Sequence, residues 1–288
     1  MKKILVTGAN SYVGTSFKNW VSVYADKYIV ETISLRDDRW TEYSFNGYDV
    51  VLHTAAIVHL KEHNTEQYFK INRDLTIEVA KKAKKEGVKQ FIFLSTMGVY
   101  GTEAGTITKD TIPVPKTSYA KSKYEAEKLL GELGNSDFNI AILRPPIVYG
   151  KGSPGNYIRL ASLALKVPFF PDIDNERSMI YINNLSEFIR ILIDYEISGL
   201  YFPQNKESVN TTNLVKLVAE VHNKKIVLFR TLNWIVKMSL KQSGMLRKVF
   251  GSFVYDKQLP GGPGSNFRGL KFDYETCSFE ESIKWTEK

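Results

Sequence analysis

The sequence predicts an α/β fold: a parallel sheet with helices on both faces, followed by a smaller lobe. Three observations carry this. Short apolar runs alternate with helical periodicity through the first half of the 288 residues, and strand–helix–strand alternation gives right-handed crossovers between parallel strands. A turn with Gly8 and Gly14 at its ends joins the first strand to the first helix. After Gly150 the alternation yields to loop-rich sequence, beginning with Lys151-Gly-Ser-Pro-Gly155.

Taken in order, Ile4, Leu5 and Val6 read as a short buried strand, and from Tyr12 an amphipathic helix carries Phe17, Trp20, Val21 and Tyr24. The turn between them lets a pyrophosphate approach the backbone and rest on the helix N-terminus, where unpaired N–H groups and the dipole favour anions. Residues 29–35 read as the second strand and 49–53 as the third, with a short link that holds no convincing helix. A long helix is expected over about 65–85, ended by Gly87, and then a fourth strand over 91–95. Pro113 and Pro115 discourage helix before Tyr119, and Ala, Glu and Leu residues favour it through Leu130. The fifth strand is 139–143, with helices over 156–166 and 183–195 after it, and Gly261-Gly-Pro-Gly264 reads as a mobile surface loop. The expected division is a dinucleotide-binding domain over 1–150 and a second lobe over 151–288, with about 178–198 returning to the first domain.

Hydrophobic residues at 43% and charged residues at 24% are ordinary for a globular chain, which excludes disorder. One cysteine, Cys277, excludes an internal disulfide and fits a reducing compartment. The first strand begins too close to Met1 for a signal peptide, and no apolar run spans a bilayer, so a cytoplasmic location is expected. The net charge of +8 is unevenly placed: residues 221–255 contain no acid but seven lysines and arginines among apolar residues. Such a segment can lie on anionic lipid. The favoured reading is a lobe helix with solvated lysines that steers a diphosphate, not peripheral membrane contact through 231–250. No nucleic acid is expected, because no basic-aromatic module accompanies the charge. His59 and His63 share helical spacing but lack the glutamate of a zinc-protease helix, so no metal is expected.

Tyr119-Ala-Lys-Ser-Lys123 carries the chemistry. A free phenol has a pKa of about 10, and a nearby ammonium lowers it. Residues four apart on a helix share a face, so Tyr119 and Lys123 can point into one cleft as base and activator. The same spacing is common on solvated helix faces. The glycine turn upstream tips the balance towards chemistry.

Together these motifs resemble the extended short-chain dehydrogenase/reductase family, in its nucleotide-sugar epimerase, dehydratase and ketoreductase branch. The resemblance spans nearly the whole chain and is densest before residue 190. It implies a Rossmann-type doubly wound parallel sheet with a smaller C-terminal α/β substrate lobe. Thr7, Gly8 and Gly14 match the glycine motif, but Ser11 replaces its middle glycine. A serine is tolerated there if the backbone needs no positive φ or if the cofactor sits further out, and a loosened turn is expected. His53-Thr-Ala-Ala56 matches the strand end beside the adenine ribose, and Asn72 the asparagine of the following helix. Leu94-Ser-Thr-Met-Gly-Val-Tyr-Gly101 places the active-site hydroxyl on Thr96. Leu143-Arg-Pro-Pro-Ile-Val-Tyr-Gly150 leads into the substrate pocket, and Arg177-Ser-Met-Ile-Tyr-Ile resembles the phosphate-contacting arginine and its strand.

The resemblance thus implies NAD or NADP held by Gly8, Asn10, Ser11, Tyr12, Val13, Gly14, Arg36, Thr54, Ala55, Ala56, Asn72, Tyr119 and Lys123. It implies a nucleotide-diphosphate sugar contacted by His59, Met97, Asn156 and Arg177. In Ser34-Leu-Arg36-Asp-Asp, Arg36 favours NADP, whereas Asp37 on the ribose would favour NAD. Tyr119 as phenolate would take a proton from a sugar hydroxyl while hydride leaves that carbon. Lys123 would lower the phenol's pKa and bond the nicotinamide ribose, and Thr96 would position the reacting oxygen. Dehydratases of the family carry Asp-Glu where this chain has Met97 and Gly98, so elimination is not expected. A UDP-sugar 4-epimerase stands slightly ahead of an NADPH-dependent reductase of a nucleotide-linked 4-keto-6-deoxy-hexosamine in surface polysaccharide synthesis. The reductase draws support from the Ala55-Ala-Ile-Val-His59 loop and the short second crossover, while Ile147, where epimerases carry asparagine, weakens the epimerase's sugar-binding analogy. A catalytically silent dinucleotide sensor is the remaining alternative, opposed by the intact Tyr119, Lys123 and Thr96. A homodimer is expected through the 65–85 and Tyr119 helices, with Ile71, Leu75, Val79, Tyr124 and Leu129 as candidate contacts.

Overall fold

A computed structural model of the chain describes residues 1–58, 65–230, 233, 244–267 and 269–288. The chain falls into two compact units. One comprises Met1–Gly101, Ile112–Pro145 and Ser186–Phe202, the other Thr102–Thr111, Pro146–Leu185 and Pro203–Lys288. Among the described residues no helix is long and apolar enough to cross a membrane.

The first unit is built on six strands: β1 (Lys2–Thr7), β2 (Tyr28–Ile33), β3 (Val50–His53), β4 (Gln90–Leu94), β5 (Asn139–Leu143) and β6 (Gly199–Tyr201). They lie in the order β6-β5-β4-β3-β1-β2, every pair parallel. This is the doubly wound, Rossmann-type sheet. From β1 the chain steps outward to β2, then crosses back to β3, so the winding reverses between β1 and β3. Ligands of such sheets bind outside the carboxyl ends of the strands at that reversal. Ile4–Val6, 50–52 and 91–93 are fully buried, as expected of strands covered on both faces, which read as apolar runs without alternation. On one face Val79, Ala80 and Ala83 of the Leu75–Lys85 helix and Ala126 and Leu130 of the Ser118–Leu133 helix join Leu5, Val51 and Phe91 in one core.

The structure refines or corrects four expectations. The link between β2 and β3 holds a one-turn helix, Arg39–Glu42, whose Trp40 is buried in that core. One turn is too short to show a period, and a docked indole holds it. The expected 65–85 helix divides into Thr65–Phe69, a π turn at Lys70–Asp74 and Leu75–Lys85. Val79 faces the core, so it is not an interface contact. In the second unit Gly261 and Gly262 are buried, with the Gly261 carbonyl accepting from Tyr274 Oη at 2.8 Å and Gly264 N donating to Phe272 O at 2.9 Å. That segment is a pinned turn, not a surface loop.

The second unit is α/β as well. Short parallel pairs join Ile147–Tyr149 to Met179–Tyr181, Phe169–Pro171 to Val227–Phe229 and Gly105–Ile107 to Phe253–Tyr255. Its helices include Asn156–Lys166, Thr211–Val221 and Phe279–Glu287. Inside it Asn205 donates to Tyr149 Oη at 2.9 Å and accepts from Tyr181 N and Asn184 Nδ2, both at 3.0 Å.

A buried ion pair closes the first unit where β4 and β5 end. Arg144 donates to Glu127 through Nε at 3.0 and 3.2 Å and through Nη2 at 2.5 Å, and its Nη1 donates to Tyr100 Oη at 2.9 Å. Ser95 Oγ also donates to the Glu127 carboxylate. Removing one member of a buried pair strands the other's charge, which costs about 3–5 kcal/mol. Glu127→Ala should lower the unfolding free energy in urea by that amount, whereas Ser95→Ala should cost about 1 kcal/mol.

Candidate active site

The site begins at the turn after β1. Gly8 N and Ala9 N both donate to the Ile33 carbonyl, at 2.9 and 3.2 Å, which hangs the turn on the end of β2. Gly8 has φ +95°, and a Cβ there would lie 2.9 Å from Ala55 N. A Cβ on Gly14 would lie 2.5 Å from Ser11 Oγ and 2.7 Å from Val6 Cγ1. Both positions therefore require glycine, and the backbone is bare where a diphosphate would meet the N-terminus of the Tyr12–Val21 helix. These residues fit a dinucleotide.

Ser11 caps that helix with φ −71° and ψ 141°, its Oγ accepting from Gly14 N at 3.1 Å. It also bonds Thr54 Oγ1 at 2.5 Å, and Thr54 Oγ1 donates to the Thr7 carbonyl at 2.7 Å. The serine needs no positive φ, and it ties the turn instead of loosening it. Asn10 and Ala56 are exposed, while Tyr12, Val13 and Ala55 are half-buried. Arg36 stands exposed beyond β2. The Asp37 carboxylate is held by Arg39 Nε at 3.0 Å and Nη2 at 2.6 Å, and this contact keeps its pKa below the ordinary carboxylate range.

The Ser118–Leu133 helix starts from Thr117, whose side chain accepts from Ala120 N. Its first turn presents Tyr119, which lies beside the Thr96 side chain and meets the Tyr68 ring edge-on at 6.3 Å. Thr96 follows β4 in extended backbone and caps the Met97–Tyr100 turn, accepting from Gly98 N at 3.0 Å. Burial pushes the phenol up to about 12, against the lowering effect of the nearby Thr96 side chain. Lys123, one turn on, is buried and donates to the Leu94 carbonyl at 2.7 Å, with its Nζ 4.4 Å from the centre of the Phe93 ring. Burial pulls it down to about 7, and the Glu127 carboxylate pulls it back up. The structure thus brings Tyr119 and Thr96 together and commits the ammonium to a carbonyl. The expected lowering of the phenol by Lys123 is not what the chain's own groups produce.

Asn72 is buried by the π turn, a widened turn of the kind often found at functional sites. Its Oδ1 accepts from Ile57 N at 2.9 Å, and its Nδ2 donates to Ile57 O at 3.0 Å and to Ser122 Oγ at 3.3 Å. It grips the strand that leaves β3 and links it to the Tyr119 helix, where Ser122 Oγ donates to Tyr119 O at 2.8 Å. Behind it, His53 bonds Thr7 Oγ1 through Nδ1 at 2.8 Å and Thr76 Oγ1 through Nε2 at 3.0 Å. Thr76 donates to Asn72 O, so Nε2 carries the imidazole proton and Nδ1 accepts from Thr7. Burial, and secondarily the Lys123 charge, pulls His53 down to about 3.

Met97 is buried, its N–H donating to Pro145 O at 3.0 Å. Asn156 is exposed at the start of the Asn156–Lys166 helix in the second unit. Arg177, also in the second unit, is buried, and its Nη1 donates to Gly251 O at 2.9 Å and Arg247 O at 3.4 Å. It therefore caps the C-terminal end of the Gly244–Phe250 helix. His59 lies outside the described residues, as does most of 231–250. Among the described residues no group of three His, Cys, Asp or Glu side chains is placed to hold a metal. Sequence reasoning missed the Glu127–Arg144 pair and the partners of Ser95 and His53. The spacing of Glu127 from Lys123 was a usable signal; the other contacts join residues far apart in the chain.

Residues 4–200 match the model of the NAD dependent epimerase/dehydratase family. The chain belongs to that family. It is 32% identical over 250 residues to the UDP-glucose 4-epimerase of Vibrio cholerae, covering 76% of this chain and 75% of that protein. It is 28% identical over 242 residues to the N-acetyl-alpha-D-glucosaminyl-diphospho-ditrans,octacis-undecaprenol 4-epimerase of Escherichia coli O157:H7, covering 77% and 73%. The structure of RMD from Pseudomonas aeruginosa with NADPH shares the fold, with a TM-score of 0.74 at 18% identity over 99% of this chain and 98% of that one. The protein is thus an NAD(P)-dependent enzyme of the extended short-chain dehydrogenase/reductase type.

The Lys123 ammonium should show in stability. Folded Lys123 releases its proton near 7, whereas an unfolded lysine holds it to 10.5. Between these values the unfolded state binds more protons, so stability rises with pH through that window. Urea denaturation of wild type and Lys123→Met should give a difference that is flat below pH 7 and moves in favour of wild type towards pH 10.

Proposed function

We propose that this enzyme epimerises UDP-linked hexoses or N-acetylhexosamines at C4. The observation that carries this reading is the placement of Tyr119 beside the Thr96 hydroxyl at the carboxyl end of β4, in the unit whose Gly8–Gly14 turn suits a dinucleotide. Bound NAD(P)+ supplies a hydride acceptor and a positive charge. Tyr119 takes the proton of the C4 hydroxyl as the C4 hydrogen departs as hydride, and Thr96 holds the oxygen in line for that transfer. Lys123 stands one turn behind and is assigned the nicotinamide ribose. After the 4-keto sugar has turned, hydride would return to the opposite face of C4 and Tyr119 would give its proton back to the oxygen, which would complete the inversion. With Met97 and Gly98 in place of an acid pair, no group is supplied for dehydration. The names of the Vibrio cholerae and Escherichia coli relatives both describe 4-epimerases of diphosphate-linked sugars, which supports C4 as the reacting carbon.

We assign substrate binding mainly to the second unit, with Asn156 and Arg177 on the diphosphate. Among the described residues the buried Arg177 Nε meets no acceptor, so one donor is in hand for a phosphate oxygen. The single thiol, Cys277, supports placing the activity in the cytoplasm.

One observation favours a second reading, the NADPH-dependent 4-keto reductase. Arg39 already neutralises Asp37 while Arg36 stays exposed, an arrangement suited to the extra phosphate of NADP. Incubation with UDP-hexoses and UDP-N-acetylhexosamines, without added reductant, should give the C4 epimer by NMR. No epimer, with stoichiometric NADPH consumed by a 4-keto sugar, would replace the epimerase with the reductase. In either reaction Tyr119→Phe should lose about a hundredfold to ten-thousandfold in turnover while still binding cofactor; turnover within a few-fold of wild type would remove Tyr119 from the mechanism.

We further propose a homodimer through the Leu75–Lys85 and Ser118–Leu133 helices, where Leu129 is exposed and Tyr124 half-buried. Sedimentation at micromolar concentration should show a dimer, and Leu129→Glu should shift it towards monomer.

A further inference from the structure

At Ser11, where the chain departs from its family's glycine motif, hydrogen-bond directions can be followed atom by atom. The single proton of Thr54 Oγ1 goes to the Thr7 carbonyl at 2.7 Å. Thr54 Oγ1 must therefore accept at its 2.5 Å contact with Ser11, which spends the Ser11 proton. Ser11 Oγ in turn accepts from Gly14 N at 3.1 Å. The relay runs one way, from the Gly14 N–H through two hydroxyls to the Thr7 carbonyl, and joins the first turn of the helix to the ends of β3 and β1. Neither hydroxyl keeps a proton for a ligand. The Thr54 hydroxyl also fills the space beside both glycines, 2.9 Å from where a Gly14 Cβ would lie and 3.2 Å from a Gly8 Cβ.

We propose that Ser11 is a positioning residue for the cofactor diphosphate, acting through Thr54 and the turn without giving the phosphate a hydrogen bond of its own. This rests on the reading that the Gly8–Gly14 turn receives the dinucleotide. A glycine at position 11 leaves the turn a wide choice of φ and ψ, whereas a capping serine narrows it before the ligand arrives. By accepting from the Gly14 N–H, the cap also fixes the first turn of the helix on which the anion would rest. A site ordered in advance binds more tightly because less freedom is lost on binding. It follows that restoring the family's glycine weakens cofactor binding here.

The test is calorimetric titration of NAD and NADPH into Ser11→Ala, Ser11→Gly, Thr54→Val and Thr54→Ser, with thermal melts of each protein without cofactor. The first three should bind about three- to tenfold more weakly, about 0.7–1.4 kcal/mol, while still melting cooperatively. Thr54→Ser keeps the hydroxyl and should match wild type. The double variant Ser11→Ala/Thr54→Val should lose no more than the weaker single, because either change breaks the same relay. Unchanged dissociation constants with a lowered Tm would reduce Ser11 to a helix cap, and tighter binding by Ser11→Gly would make the serine an obstruction. Either result overturns the proposal, as would additive losses in the double variant. Wild type that binds neither dinucleotide would overturn the cofactor reading itself, and that outcome appears before any substitution is made.

Discussion

The first unit depends on how closely the turn after β1 approaches the chain leaving β3. A methyl group on Gly8 would lie 2.9 Å from Ala55 N. This contact lies where the direction of winding reverses, so it decides whether the carboxyl ends of the strands form a crevice. The turn is fixed to β2 through the Ile33 carbonyl and to β3 through Thr54. Beyond Thr54 the chain passes Ile57, which Asn72 grips on both its amide and its carbonyl. The helix of Tyr119 is joined to the same asparagine through Ser122. Order thus spreads from one backbone contact to the residues assigned to chemistry.

Burial governs the charges behind this site. It pulls Lys123 to about 7 and His53 to about 3, and it pushes Tyr119 to about 12. Each shift favours the neutral form, the usual effect of a low-dielectric environment. Glu127 and Arg144 hold each other in an ion pair, and the Glu127 carboxylate raises Lys123 against the effect of burial. A phenol kept neutral at rest is a strong base once ionised. The proposed role of Tyr119 as a base would therefore need positive charge beside it.

Much of the scaffold was legible because its signals are local. The strand Asn139–Leu143 and the helix Asn156–Lys166 have the bounds their apolar patterns give. The edge strand β2 came out as Tyr28–Ile33 where 29–35 was expected, since its exposed positions blur the end of the apolar run. The π turn was invisible, because one added residue hardly disturbs a helical period. The fit of Ser11 was readable in part: serine is a common cap, but its partner Thr54 lies 43 positions away. Lys123 was legible as a neighbour of Tyr119 along the helix, whereas its bond to the Leu94 carbonyl depends on how that helix packs on β4. Arg177 illustrates the same limit. Its resemblance to the family's phosphate-contacting arginine suggested a phosphate, and only the fold shows that its Nη1 is already engaged with carbonyls at a helix end.

The π turn at Lys70–Asp74 also fixes the length of its own segment. Successive helical residues differ by about 100° around the axis. Deleting one residue here would restore a regular helix, yet it would swing Asn72 off Ile57 or turn Val79 and Ala83 out of the core. Inserting one would do the reverse. Substitutions on the outer face, at Lys81 or Lys85, are open to drift, while insertions and deletions in this stretch are closed to it. Its register is a fixed quantity, inherited as a whole or lost as a whole.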